Sequence, residues 1–253
     1  MDTPRKIIDE AVRLPHAPLP EYYGKEEDRR AYLHQIFDRT APDYDRIEKI
    51  LAFGSGPSYR HHALIRGGLV QGMKLLDVGT GTGLVAIEAA KLIGSGALIT
   101  GVDPSAGMME AGHFPEGMSL VEGRAEAIPL PDASFDFVSM GYALRHVSDL
   151  SAAFAEFFRV LKPGGKVCIL EITTPEKAFT KLLLKTYMRV VIPVIARGVG
   201  SVKETKTVWK YYWDTIEACA TPQQVMDTLR AAGFSDVKRH CELGMFSEYQ
   251  ATK

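Results

Sequence analysis

The chain has 253 residues, 46 % of them hydrophobic and 24 % charged, so it can bury a sizeable core and carries no disorder signature. Its formal net charge of -1, with no basic block, excludes the dense phosphate contacts on which nucleic-acid binding depends. The three cysteines, Cys168, Cys219 and Cys241, lie far apart and form no C-x-x-C or Cys/His cluster, which suits a reducing cytosol and points to no metal centre.

In chain order, residues 1 to about 30 are polar and proline-rich (Pro15, Pro18, Pro20), lack the apolar core of a signal peptide, and lead into a helix expected from about Glu26 to Phe37. From Lys74 to Thr173 strands (74–78, 97–102, 118–122, 135–140, 166–172) alternate with helices (84–92, 104–112, 149–161). That spacing predicts βαβ units, hence a parallel sheet with right-handed crossovers. Lys162-Pro163-Gly164-Gly165 stops the last of these helices and turns the chain into the next strand. From Pro175 to about Trp213 the alternation gives way to helix formers and apolar residues. A helix over Thr221–Ala232 and two strands, Val237–Glu242 and Met245–Thr252, then form an antiparallel edge. The organisation expected is an N-terminal helical cap on the substrate side (1–60), an α/β core (61–174), a helical lid (175–213) and a C-terminal helix with edge strands completing the core (214–253). No run reaches the ~18 apolar residues needed to span a bilayer. A cytoplasmic chain is expected, and Leu182 to Val199, broken by Lys185, Arg189 and Arg197, is a candidate for peripheral contact with the inner membrane face, for a homodimer contact, or for plain packing.

Asp77-Val78-Gly79-Thr80-Gly81-Thr82-Gly83 is the most informative stretch. It places glycines where a strand hands over to a helix, so a small molecule can lie on backbone N–H groups at a helix N-terminus. A dinucleotide fingerprint reads G-x-G-x-x-G; here the third glycine, Gly83, comes one place early and Asp77 ends the strand inside the loop. This resembles motif I of the class I S-adenosylmethionine (SAM) methyltransferases. The resemblance implies cofactor contacts from Asp77, Gly79, Thr80, Gly81 and Gly83, from Asp103 to the ribose hydroxyls with Pro104 beside it, from Ala125 and Glu126 in the run Gly123–Leu130, and from Gly141 at the end of the strand 135–140.

Over most of its length, from about Phe37 to Thr252, the sequence closely resembles the UbiE/MenG family, the C-methyltransferases of ubiquinone and menaquinone biosynthesis. Phe37–Asp45 looks like the family's opening motif around its Tyr-Asp pair, here Tyr44-Asp45. Gly141-Tyr142-Ala143-Leu144-Arg145-His146-Val147 stands for Phe-Gly-Leu-Arg-Asn-Val, and Arg159–Gly165 and Trp209–Ile216 match two further segments. Glu48 stands where members usually carry Asn, Ser55–Tyr59 replaces Gly-x-x-Arg-x-Trp, His146 replaces Asn, and Trp213 replaces a smaller residue. The resemblance implies a Rossmann-like α/β fold, mostly parallel with an antiparallel C-terminal edge and helical insertions, and SAM-dependent methylation of a quinol or similar planar, lipophilic acceptor. Alternatives are N- or O-methylation of another small metabolite or a phospholipid head group, or a SAM-fold protein acting in another transfer or as an assembly subunit.

A ring carbon of a quinol becomes nucleophilic when a phenol loses its proton, so the site needs a base or a cation. Arg145, His146, Tyr142 and Asp45 are the candidates, with Tyr44 and Asp45 ordering the entry helix over the sulfonium. Arg145 can hold a phenolate or, as a surface residue, pair with Asp149. His146 can take the proton, with an acid limb near pH 6.5, or serve as a helix-start residue. Tyr142, Tyr211, Tyr212 and Trp213 form either an aromatic wall or lid core.

Overall fold

The structure, a computed structural model, describes residues 14–253 apart from 18, 53, 193 and 195–204. Its centre is a seven-stranded sheet in the spatial order β3-β2-β1-β4-β5-β7-β6. The strands are β1 (Leu75–Val78), β2 (Ile99–Asp103), β3 (Ser119–Glu122), β4 (Phe135–Gly141), β5 (Leu161–Ile172), β6 (Ser235–Glu242) and β7 (Phe246–Thr252). Pairings among β1 to β5 are parallel; β7 runs antiparallel to both β5 and β6. The two directions of sheet growth part between β1 and β4, and an open α/β sheet places its ligand crevice at the carboxyl ends of such neighbours.

Local signals account for most boundaries. Helix α3 (Leu84–Ile93) starts at Gly83 in the left-handed region (φ 90°) and stops at Gly94 (φ 89°). Asp149 caps α5 (Leu150–Val160) by accepting from the Ala152 N–H, and Thr221 with Gln224 forms a capping box on α8 (Pro222–Ala231). Gly164, at φ 77°, turns the chain so that β5 joins the β4 ladder in continuous register only from Lys166.

One boundary overrides its local signal. The helix expected to end near Phe37 continues as α1 (Glu26–Leu51) straight through Pro42. Asp38 accepts from the Ser105 hydroxyl and the Gly107 N–H, and Asp45 accepts from the Thr82 hydroxyl at 2.5 Å, so α1 is tied across the loops after β1 and β2. These contacts hold the helix together at an exposed proline whose local effect is to break it.

Three buried clusters result. On one sheet face Phe154, Phe157 and Leu229, from α5 and α8, meet Val138 and Ile169. On the other, α3 and α2 (Gly56–Gly67) cover Leu75, Phe137 and Leu170. The third lies outside the sheet, where Tyr23 and Ile36 pack with Leu184, Met188, Tyr211, Tyr212 and Trp213. The last five of these come from α6 (Ala178–Thr186), the π-helical turn Tyr187–Val191 and α7 (Thr205–Ala218). Cys168 is fully buried in β5, where burial pushes its thiol up to about 12, so it is inert packing. No helix among the described residues is long and apolar enough to cross a membrane.

Candidate active site

A cleft opens at the carboxyl ends of β1, β2 and β4 and runs beneath α1. At one end its wall is Gly79, Thr80, Gly81, Thr82, Asp103, Pro104 and Ser105, followed by Met108, Ala125 and Glu126. Gly79 and Gly81 have φ of 67° and 54°. A Cβ built on Gly79 would stand 2.7 Å from the Ala143 Cβ, so the loop closes against the β4 end only because that side chain is missing.

Two carboxylates brace this end. Asp103 accepts from the Gly81 N–H and the Ser105 N–H, both at 2.8 Å, which leaves lone pairs for two further donors. Asp77 lies behind the loop and off the cleft wall, accepting from the Thr80 hydroxyl at 2.8 Å and the Ser139 hydroxyl at 2.7 Å. It locks the loop to β4. Burial is the main reason that both carboxyls are pushed up to about 6. Backbone N–H donors oppose the rise at Asp103, and the two hydroxyls oppose it at Asp77.

The other end of the cleft is lined by Phe37, Tyr44, Arg60, Tyr142, His146 and Tyr212. Tyr142 sits in the left-handed region at φ 59°, a conformation that costs a non-glycine residue about 1 kcal/mol or more and that clusters at ligand sites. Its N–H is held by the Leu170 carbonyl at 2.7 Å. Tyr44 and Tyr212 are hydrogen-bonded to each other, and Phe37 meets the His146 ring edge-on at 5.1 Å. Of the aromatics expected as a wall, Tyr142 and Tyr212 fill that place, while Tyr211 and Trp213 are packed into the cluster outside the sheet.

The structure corrects two expectations for the basic pair. Arg145 is neither at the surface nor on the cleft wall. It is 2 % exposed, donates to Glu171 at 2.5 Å and lies 4.7 Å from the Tyr212 ring centroid, while Asp149 is occupied as a helix cap. The Arg145 carbonyl accepts from Arg29, another buried cation. His146 does reach the wall, with Nε2 buried and without a partner among the described residues and Nδ1 3.5 Å from the Tyr211 hydroxyl. Burial above all, then Arg145, Arg29 and His16, hold the imidazole well below its ordinary 6.5, so an acid limb at pH 6.5 does not apply.

Glu171, Phe37 and Arg60 are among the residues of this arrangement that the sequence did not single out. Glu171 interrupts the apolar run Ile169-Leu170-Glu171-Ile172, a visible signal for a buried partner. Phe37 stood within the opening motif without a site role. Arg60 directly follows the divergent stretch Ser55–Tyr59 and carries no motif of its own.

The sequence profile of the ubiE/COQ5 methyltransferase family matches residues 24–253. This chain belongs to that family. The ubiquinone/menaquinone biosynthesis C-methyltransferase UbiE of Geotalea daltonii is 35 % identical over 229 residues, covering 87 % of this chain and 96 % of its own length. The demethylmenaquinone methyltransferase of Staphylococcus aureus is 36 % identical over 185 residues, 72 % of this chain and 75 % of its own. Among solved structures, a SAM-dependent methyltransferase from Thermotoga maritima superposes with a TM-score of 0.61 at 23 % identity, covering 87 % of this chain and 99 % of that one, which shows the class I fold. As a UbiE/COQ5-family methyltransferase the protein uses SAM, and the loop at Gly79–Gly83 beside Asp103 fits it: the glycines clear the backbone and the carboxylate keeps acceptors for a ribose.

Proposed function

We propose that this UbiE/COQ5-family enzyme methylates a ring carbon of a quinol. The observation that carries this reading is that one cleft joins the glycine loop and Asp103 to a wall of Phe37, Tyr44, Tyr142, His146 and Tyr212. A planar aromatic acceptor fits between such rings, which favour offset or edge-on contact. The relatives' names, which speak of ubiquinone and menaquinone, point the same way.

Bound SAM supplies an electrophilic methyl group on a sulfonium. In this reading Asp103 accepts from the ribose hydroxyls, Gly79 to Gly83 give close backbone approach, and Ala125 and Glu126 face the adenine side. His146, with its proton on Nδ1 toward Tyr211, takes the phenolic proton at Nε2. The ring carbon takes the methyl as the S–CH3 bond breaks and S-adenosylhomocysteine leaves, and the ring C–H proton then goes to solvent, restoring the aromatic ring. Burial above all, and then the cations Arg145 and Arg29, keep His146 neutral at physiological pH, and the two cations favour an anion near it. Arg145 is a positioning residue, fixed by Glu171 and stacked on Tyr212. Asp45 and Tyr44 close α1 over the cleft, Asp45 through Thr82. Placement accounts for most of the rate in an in-line transfer, since well-oriented reactants gain roughly 7 to 11 kcal/mol.

The test incubates the purified protein with SAM and chemically reduced short-chain quinones, then reads mass and position of the added methyl by mass spectrometry and NMR. A methyl on ring carbon supports the reading. Methylation only at oxygen, or only of amines in a parallel small-metabolite pool, overturns it.

A lipophilic acceptor also suits the exposed apolar residues Phe179, Leu182, Leu183 and Val190 on α6 and the following turn, which support peripheral contact with the cytoplasmic membrane face. Flotation with vesicles should fall in a Leu182→Asp/Leu183→Asp variant. Unchanged flotation, or conversion of a dimer to a monomer by the same variant, assigns the face elsewhere.

A further inference from the structure

Two of the places where this chain departs from its family's pattern meet at Arg60, on the cleft wall. Glu48, on α1, donates nothing and accepts from the Arg60 guanidinium at 2.6 Å. Gly56, in the divergent stretch, leaves the room: a Cβ there would lie 2.6 Å from both Arg60 Nη1 and Glu48 Oε1. Arg60 lines the cleft, is 3 % exposed, and sits 5.5 Å from the centroid of the Tyr142 ring. Its Nε finds no hydrogen-bond partner among the described residues, although a buried donor left unpaired costs about 1 to 3 kcal/mol. A cation on the wall would hold the phenolate that loss of the proton creates, and the motif arginine Arg145 is instead sealed behind the wall by Glu171.

We propose that Arg60, aimed by Glu48 and backed by the face of Tyr142, is the cation that receives the ionised oxygen of the acceptor, and that the Glu48–Arg60 pair tunes which aromatic acceptor ionises in this enzyme. The proposal rests on the quinol reading and names the oxyanion-binding part of that site. An arginine offers a planar fork of donors, one edge of which can serve Glu48 while another serves the acceptor. Glu48 has a second effect, because its negative charge competes with the acceptor's for the same guanidinium. The groups that face Arg60 are Glu48 and Tyr44 from α1 and Tyr142 from the end of β4.

The competition gives the test a sign that a purely structural ion pair would not have. With S-adenosylhomocysteine present, 1-naphthol is titrated into wild type, Glu48→Gln, Arg60→Gln and the double Glu48→Gln/Arg60→Gln variant, and the naphtholate absorption band reports ionisation of the bound probe. Bound naphthol should ionise about one pH unit lower in wild type than in the double variant, equal to about tenfold preference for the anion, and lower still in Glu48→Gln. The double variant leaves no buried lone charge, so it separates the site from a folding defect in Arg60→Gln alone. Equal ionisation in wild type, Glu48→Gln and the double variant, the reverse order, or failure of wild type to bind naphthol would overturn the proposal. So would loss of SAM affinity in a folded double variant, which would assign the pair to the cofactor. Intact naphthol ionisation in an enzyme that methylates no reduced quinone sinks the quinol reading and leaves Arg60 as an oxyanion site.

Discussion

In the proposed site, Asp103 is the buried carboxylate that would link cofactor binding to pH. Two N–H donors hold it in place, yet burial still leaves it near 6, so it approaches neutrality under mildly acidic conditions. Only the ionised form accepts from two hydroxyls at once. SAM affinity measured by calorimetry should therefore decline as pH falls below about 6, and Asp103→Ala should lose roughly 1.5 to 3 kcal/mol at pH 8. Affinity flat from pH 5 to 8 in wild type would remove Asp103 from the ribose site. At His146 the sign is opposite in charge but similar in effect. Because its pKa is depressed, protonation, and with it loss of the base, belongs well below pH 6.5. The wild-type rate should stay level from pH 8 to 6.5, and His146→Asn should lower it without moving SAM affinity. A wild-type limb at 6.5 would mean that some other group titrates.

At the scale of elements, α1, α6 and α7 share one core and cannot be treated as detachable covers. Trp213 and Tyr211 are fully buried against Tyr23 and Ile36. Trp213→Ala should therefore cost about 3 to 5 kcal/mol in urea denaturation, as for large-to-small changes in other cores. A loss under 1 kcal/mol would show that the cluster is loosely packed. Deleting 178–212 strips that core from α1 and should yield aggregation. Exchanging the segment for that of a relative should instead change the preferred acceptor while SAM affinity stays within a few fold, and loss of SAM binding in a folded chimera would contradict the division of labour.

For the whole molecule, Asp77 and Asp103 couple folding to pH. Their folded values lie above the unfolded value of 3.8, so between about pH 4 and 6 the native state holds protons that the unfolded chain releases. Stability from this pair therefore falls as pH rises through that window. Asp77→Asn should flatten the slope between pH 4 and 6 in chemical denaturation; an unchanged slope would mean that Asp77 titrates normally. SAM, binding only the native state, should stabilise the protein by about 2.7 kcal/mol at a hundredfold excess over Kd. Gly81→Val should abolish that gain in a protein that still unfolds cooperatively, since φ of 54° is poorly tolerated by a β-branched residue.

The sequence by itself determined the alternating elements, the parallel sheet with its antiparallel edge, the glycine loop and the cofactor, because each is written in short-range signals: apolar period, caps, and glycines at a strand-to-helix turn. Of the positions it singled out, Gly79, Asp103, Tyr142 and His146 line one cleft, whereas Asp77 and Arg145 lie behind its wall. Tertiary structure alone decided that α1 runs through Pro42, since Ser105 and Thr82 anchor it from distant loops. It alone decided that Arg145 faces Glu171 while Arg60 faces the cleft, and that His146 stays neutral. A charged side chain's role follows from which distant residue neutralises it and how much water it loses. Neither is encoded near it in the chain.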